Sequence, residues 1–365
     1  MVKKAHRMRS TALVLLVTFF LVLLLADSRV AMEGAQRGLA LCAQTLLPSL
    51  FPFLVLSELL VALGVGNLIR PQITRPIMAL FGISEKGAVS FLLGCVCGFP
   101  VGTTSAVSYA ERGEMSKEEL HRVSLFCNNP SSGFLLAAVG EGLLGNRSAG
   151  VALLIITLLS AVLVGILLRL LFGKITSVQC TRTHAGPERA LSVNVLATSV
   201  CRAGRAFLTV SAFVIFFSCI TECLSHVLDA VALPVPFAVA FHGILEMTGG
   251  IGRATATMAT DQAFRATAFF ASFAGVSVCL QILACAEGHN LSVLRLLAAK
   301  ALQAGIALLL AELYLRVCQP TFTPTESVIA MTRAPENFFP VFFSLLLLCT
   351  LCFSLYKRKS PETGQ

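Results

Sequence analysis

The chain of 365 residues is 56% hydrophobic and only 13% charged, with a mean hydropathy of +0.82. That excludes an ordinary soluble domain, where about a quarter of residues are charged, and apolar runs long enough to cross a bilayer core of about 30 Å recur from end to end. The formal net charge of +9 excludes less than it suggests. Lys and Arg collect in loops on one side of the threaded chain, as the positive-inside rule describes, so membrane lipid is an expected partner and nucleic acid is not.

At the N-terminus Lys3, Lys4, Arg7 and Arg9 precede an apolar run over 11–26. Leu24 stands at −3 before Ala26, a poor cleavage signature, so the run predicts an uncleaved first membrane helix with its N-terminus in the cytoplasm. Together with an external loop around 27–37 it makes up segment 1–38. A second span over 39–66 returns the chain inside, to Arg70, Arg75 and Lys86. The next apolar stretch, 87–110, is interrupted by Gly98-Phe99-Pro100-Val101-Gly102. Glycine and proline break a helical hydrogen-bond ladder, and the segment reads as a re-entrant hairpin entering and leaving on the cytoplasmic face. Ser116 and Glu119, three residues apart, predict a capping box inside the cell. A helix broken at Asn128-Asn129-Pro130-Ser131-Ser132 then crosses outward, and 151–172 comes back in. Lys174, Arg182, Arg189, Arg202 and Arg205 mark a cytoplasmic linker over 174–205.

Beyond the linker the directions reverse. Residues 206–233 cross outward and Pro234-Val235-Pro236 forms an external turn. The stretch 237–260, broken at Glu246-Met247-Thr248-Gly249-Gly250, reads as a hairpin entering from outside. Residues 264–286 cross inward and 291–317 outward, 318–337 is external, and 338–365 holds a last span ending at Lys357, Arg358 and Lys359. The fold expected is therefore an all-α polytopic membrane protein of about eight full spans with two re-entrant hairpins. Segments 39–173 and 206–317 form an inverted-topology repeat. The repeat order is helix, hairpin, broken helix, helix, and Asn128–Ser132 falls where the second copy has residues 272–277. Broken helices at matching positions of inverted halves point to a transporter's solute site near the midplane.

Thirteen cysteines invite a disulfide or metal reading. Cys42, Cys95, Cys97, Cys219, Cys279 and Cys285 fall within apolar spans, where cysteine behaves as a small hydrophobe. Cys349 and Cys352 lie in the last span with no His beside them, so no metal site is expected.

Leu47-Pro48-Ser49-Leu50-Phe51-Pro52-Phe53-Leu54-Val55-Leu56-Ser57-Glu58, then Gly98-Phe99-Pro100-Val101-Gly102, then Phe126 followed by Asn128 to Ser132, resemble the sporulation integral membrane proteins of the YlbJ type. These carry the nucleoside recognition, or Gate, domain. The resemblance runs from about residue 39 to about residue 315. It implies a small-solute partner, with an anion such as dipicolinate moved between mother cell and spore, and a bacterial cell or forespore membrane with both termini cytoplasmic. A nucleoside transporter of the same fold and a non-transporting scaffold of the spore envelope are the alternatives.

Candidate residues follow from the breaks. Gly98, Pro100 and Gly102 would turn the first hairpin and leave helix-end N–H groups able to receive a carboxylate, with Thr103 and Thr104 adding hydroxyls; an ordinary packing kink is the plainer alternative. Asn128, Asn129, Ser131 and Ser132 either face a solute or satisfy the unwound turn. Thr248, Gly249 and Gly250 form the second tip, and Arg253 is suited to gripping a carboxylate or to neutralising Glu246. Glu246 and Glu58 are the candidate sites for a coupling ion, because a carboxylate at membrane depth is costly unless it is paired, hydrated or protonated. No nucleophile–base pair or phosphate loop occurs. The expectation is a protein that is not an enzyme, uses no cofactor and couples, if at all, to Na⁺ or H⁺.

Overall fold

A computed structural model describes residues 2–63, 71–175, 193–230 and 234–318, and regular structure among them is all helical. The expected last span and the external segment before it, Arg70, Arg182, Arg189 and the Cys349–Cys352 pair lie outside the described residues.

Helix α1 (Val2–Ala26) passes with almost no interruption into α2 (Ser28–Leu41), which Asp27 caps by accepting the Val30 N–H at 3.1 Å. A π-helical stretch, Cys42–Leu46, then continues into α3 (Leu47–Ala62). The external loop expected around 27–37 is therefore helix. Its charges suggested solvent, but they pair locally or across to α9 (Val193–Ala230). Arg29 meets Glu33 at 3.3 Å and Arg37 meets Glu222 at 2.6 Å. Gly34 and Gly38 let the two backbones approach, since a Cβ on either would come within 2.8 Å of α9 atoms.

Helix α4 (Pro71–Phe81) turns by 98° into α5 (Glu85–Cys97), whose start is capped by Ser84. Glu119 completes only half of its predicted capping box. Ser116 accepts the Glu119 N–H at 3.1 Å, opening α7 (Lys117–Val123), but the Glu119 carboxylate accepts from Ser84 N–H at 2.6 Å and ties α7 to α5.

Two helical hairpins follow from the predicted breaks. Helix α5 packs against α6 (Val101–Glu111) around Gly98, Phe99 and Pro100. Further on, α10 (Val235–Leu245) packs against α11 (Met247–Thr257) around Glu246. Small residues permit both pairings, because a Cβ on Gly94 would come within 3.1 Å of Gly102, and one on Gly250 would collide with Gly243.

Each hairpin is followed by a broken helix. After α7 the chain unwinds through 128–131 and resumes as a π-helical stretch, Phe134–Leu143. After α12 (Thr260–Phe273), Ala274 and Gly275 adopt φ of 69° and 75° before α13 (Gly275–Cys285). Long helices close each set, α8 (Arg147–Phe172) and α14 (Val293–Cys318). The order hairpin, broken helix, long helix thus occurs twice.

Four stretches among the described residues are long and apolar enough to span a membrane: Arg147–Phe172, Val193–Leu228, Thr260–Cys285 and Val293–Cys318. The bent pair α4–α5 brings the number to five at most. The eight expected include segments that are divided into short helices and one that lies outside the described residues. Only Val17–Ala26 of the first run qualifies, as a shorter apolar helix. The broken helix at Asn128 is divided into short pieces, and the last span is outside the described residues. Phenylalanines fill the interior, with Phe81, Phe91 and Phe126 packed edge to face and Phe264, Phe269 and Phe270 fully buried. Outward faces are apolar instead of charged, as on α8 at Ile155, Leu159 and Leu163 and on α14 at Leu309 and Leu313. Surfaces of that kind need lipid around them.

Candidate functional site

The two hairpin tips and the two helix breaks converge. Gly98, with φ of 89°, lies so close to the first break that a Cβ there would stand 2.7 Å from the Ser131 nitrogen. Gly275 lies equally close to the second tip, where a Cβ would stand 3.0 Å from the Met247 nitrogen. Between them is a cavity of about 40 Å³, room for roughly three waters. Phe99 reaches it from the first tip, Met247 and Thr248 from the second, Ser131 from the first break and Gln281 from the helix after the second. Val210 and Val214 of α9 make an apolar wall.

Glu246 is the charged residue of this lining and is only 4% exposed. It ends α10 in an extended conformation (φ −141°, ψ 118°), and its carboxylate turns back onto the start of α11. One oxygen accepts the Thr248 N–H at 2.9 Å and the other the Gly249 N–H at 2.6 Å. The N-terminal dipole of α11 therefore holds its own carboxylate. Arg253, about two turns further on, is half-buried and forms no ion pair with Glu246.

Gln281 is 1% exposed. Its amide nitrogen donates to Ser277 at 3.4 Å, and its carbonyl oxygen has no partner among the described residues. A buried, unpaired acceptor costs about 1–3 kcal/mol, so the Gln281 oxygen is an unmet acceptor on a residue of the cavity lining.

A second polar cluster sits behind the first break. The Asn128 side chain accepts from Thr103 N–H at 3.2 Å and donates to Thr103 Oγ1 at 2.8 Å and to the Ser124 carbonyl at 3.0 Å. The N-terminus of α6 is thus capped from within the protein, and Thr103 N–H is not offered to a carboxylate as the sequence suggested. From α14, Lys300 donates to the Asn128 carbonyl and, at 2.9 Å, to Gln303 Oε1. Gln303 in turn donates to Asn129 Oδ1 at 2.8 Å and to the Thr157 carbonyl of α8 at 3.4 Å. Lys300, Gln303, Asn128, Asn129 and Thr157 are all fully buried.

Of the residues expected at the site, Ser131, Glu246 and Thr248 line the cavity, while Gly98, Gly249 and Gly250 shape the tips around it. Thr103, Asn128 and Asn129 belong to the cluster behind it. Pro100 and Gly102 are buried in the first hairpin, Thr104 bonds back to the Val101 carbonyl at 3.0 Å, and Ser132 is half-buried beside Ser131 without lining the cavity. Glu58 lies elsewhere, with Arg112 and Arg202 as its charged neighbours. Lys300 and Gln303 were missed. The available signal was a lysine well inside the 291–317 span, where an ionisable residue is a functional candidate by default.

Fold and surface together define a polytopic, all-helical integral membrane protein with a small, mostly apolar cavity that carries a few polar groups where its tips and breaks meet. Over 237 residues it is 27% identical to the sporulation integral membrane protein YlbJ of Bacillus subtilis (strain 168), covering 58% of this chain and 57% of that protein. The chain thus matches little more than half the length of this relative. No family model matches the chain, and no solved structure matches it.

Proposed function

We propose that the protein is a secondary transporter or facilitator for a small polar organic solute, with the solute site between the two hairpin tips. The observation that carries this reading is the convergence of both tips and both helix breaks on one buried cavity that presents Ser131, Thr248, Glu246 and the unpartnered Gln281. Irregular backbone at membrane depth is tolerated where it lines a cavity, and inverted repeats that meet at such breaks are the plan of alternating-access carriers. The inverted, re-entrant reading of the two units is favoured by the repeated order of hairpin, broken helix and long helix and by the bias of Lys and Arg to one side of the chain so threaded. At about 40 Å³ the cavity is far below the roughly 300 Å³ of ordinary ligand pockets, so on this reading a solute enters only once the two units move apart.

The similarity to a sporulation membrane protein makes dipicolinate the first solute to test and a nucleoside the second. Glu246 makes a dianion the harder occupant and a neutral polar molecule the easier. Purified protein in proteoliposomes is expected to take up one of them saturably, with the dependence on Na⁺ and pH gradients naming any coupling ion. No uptake of either by folded, reconstituted protein would remove the transport reading in favour of a scaffold. Gln281→Leu is expected to lower uptake about tenfold, the loss of one solute hydrogen bond. It should leave the melting midpoint unchanged or raised, because it removes an unpaired buried acceptor.

A further inference from the structure

We propose that Lys300 is a tethered cation: its ammonium occupies, at the break of the first unit, the place where a carrier of this plan would hold a coupling Na⁺. Carriers with broken helices coordinate Na⁺ through unwound backbone carbonyls at the break. Here the carbonyl of Asn128, the first unwound residue after the α7 turn, accepts from Lys300 Nζ, and Gln303 supplies a second oxygen at 2.9 Å. Asn129 Oδ1 and the Thr157 carbonyl are held next to these by the Gln303 amide, at 2.8 and 3.4 Å, and the buried Thr157 hydroxyl has no partner among the described residues. The hydrogen-bonding groups around Nζ are thus neutral oxygens of the kind that suit a hard cation, with the thiols of Cys95, Cys127 and Cys279 as its further neighbours.

Lys300 makes no ion pair with a carboxylate among the described residues. A fully buried lysine is almost always paired with an acid, so one whose hydrogen bonds go to neutral oxygens, with thiols and no carboxylate beside it, fills a cation site more than it forms a salt bridge. It also comes from the second unit, 172 positions away from the carbonyl it meets. The cation is therefore delivered by one unit to the break of the other, at the contact that must loosen if the units rock. Its role in transport rests on the proposed function; occupancy of the site by a cation does not.

The test reads stability, so that its failure is separate from a failure of uptake. Melting midpoints of the purified full-length chain in detergent are compared in NaCl and in choline chloride at equal ionic strength. The wild type is expected to gain less from the exchange than Lys300→Ala does. Lys300→Ala, which empties the site but leaves its oxygens, is expected to melt lower in choline and to regain about 4 °C or more in roughly 0.15 M NaCl, as a bound ion would produce. Lys300→Met, which fills the same space without charge, is expected to show no Na⁺-specific gain. Folded Lys300→Ala with no preference for Na⁺ would overturn the proposal. So would a wild type that gains as much from Na⁺ as Lys300→Ala does, or a Lys300→Ala chain that fails to fold in both salts. A variant recoverable only in NaCl would support it.

Discussion

Gly94→Val is expected to destabilise the fold by about 3 kcal/mol or more and to lower its melting midpoint markedly. Gly94 faces the main chain at the first break: a Cβ there would overlap the carbonyl of Cys127 and come within 3.1 Å of the Gly102 Cα. Both obstacles are backbone, so no side chain can rotate out of the way, and the α5–α6 hairpin would have to move off the segment that presents Asn128 and Ser131. Overpacking a rigid interior costs about 1–3 kcal/mol and occasionally more; with two backbone walls the upper end applies, against a total stability of about 5–15 kcal/mol. Gly204→Ala is the control. Nothing lies within 4 Å of a Cβ at that position in α9, so it should be silent or gain up to about 1 kcal/mol of helix propensity. Size-exclusion profiles and melting midpoints of the two variants in detergent check this pair. A monodisperse Gly94→Val protein melting near the wild type would mean that the hairpin does not pack on the break as described.

How much of this was legible beforehand depends on how local the cause is. The breaks at Gly98–Pro100 and Glu246 were legible because glycine and proline act within a few residues. The unwinding at Asn128–Ser132 was legible for the same reason, as proline lies beside a run of polar side chains. Segment 27–37 was misread because Asp27, Arg29, Glu33 and Arg37 look like a solvated loop. Their partners Glu222 and His226 stand almost two hundred positions later, and a single sequence does not display such pairings. The same applies to Lys300 and Gln303. Periodicity places them on a membrane helix, but which face of that helix meets the break at Asn128 is settled by packing between the two units. The helix-end N–H groups expected to be open were legible as groups and not as states. Asn128 caps one tip and Glu246 the other, both through side chains whose targets depend on a turn's final geometry.

The capping carboxylate allows the sharpest separation of structure from chemistry at the cavity. Glu246→Ala deprives the Thr248 and Gly249 N–H groups of their acceptors in a buried setting. Loss of an N-cap costs about 1 kcal/mol, and each charge-assisted hydrogen bond removed adds about 1.5–3 kcal/mol. Glu246→Ala is therefore expected to lower the melting midpoint markedly and to abolish uptake. Glu246→Gln retains one carbonyl oxygen to cap a single N–H, so it should lose only about 1–2 kcal/mol and remain folded. Its uptake is nevertheless expected to fall by about tenfold or more, because the amide presents a donor where the cavity held an acceptor, and a solute or coupling cation arranged to meet a carboxylate loses that partner. Midpoints and initial uptake rates for both variants, from the same preparations, separate the two contributions. Full uptake by Glu246→Gln would confine Glu246 to holding the second tip in shape and would shift the chemistry of the cavity to Gln281, Ser131 and Thr248.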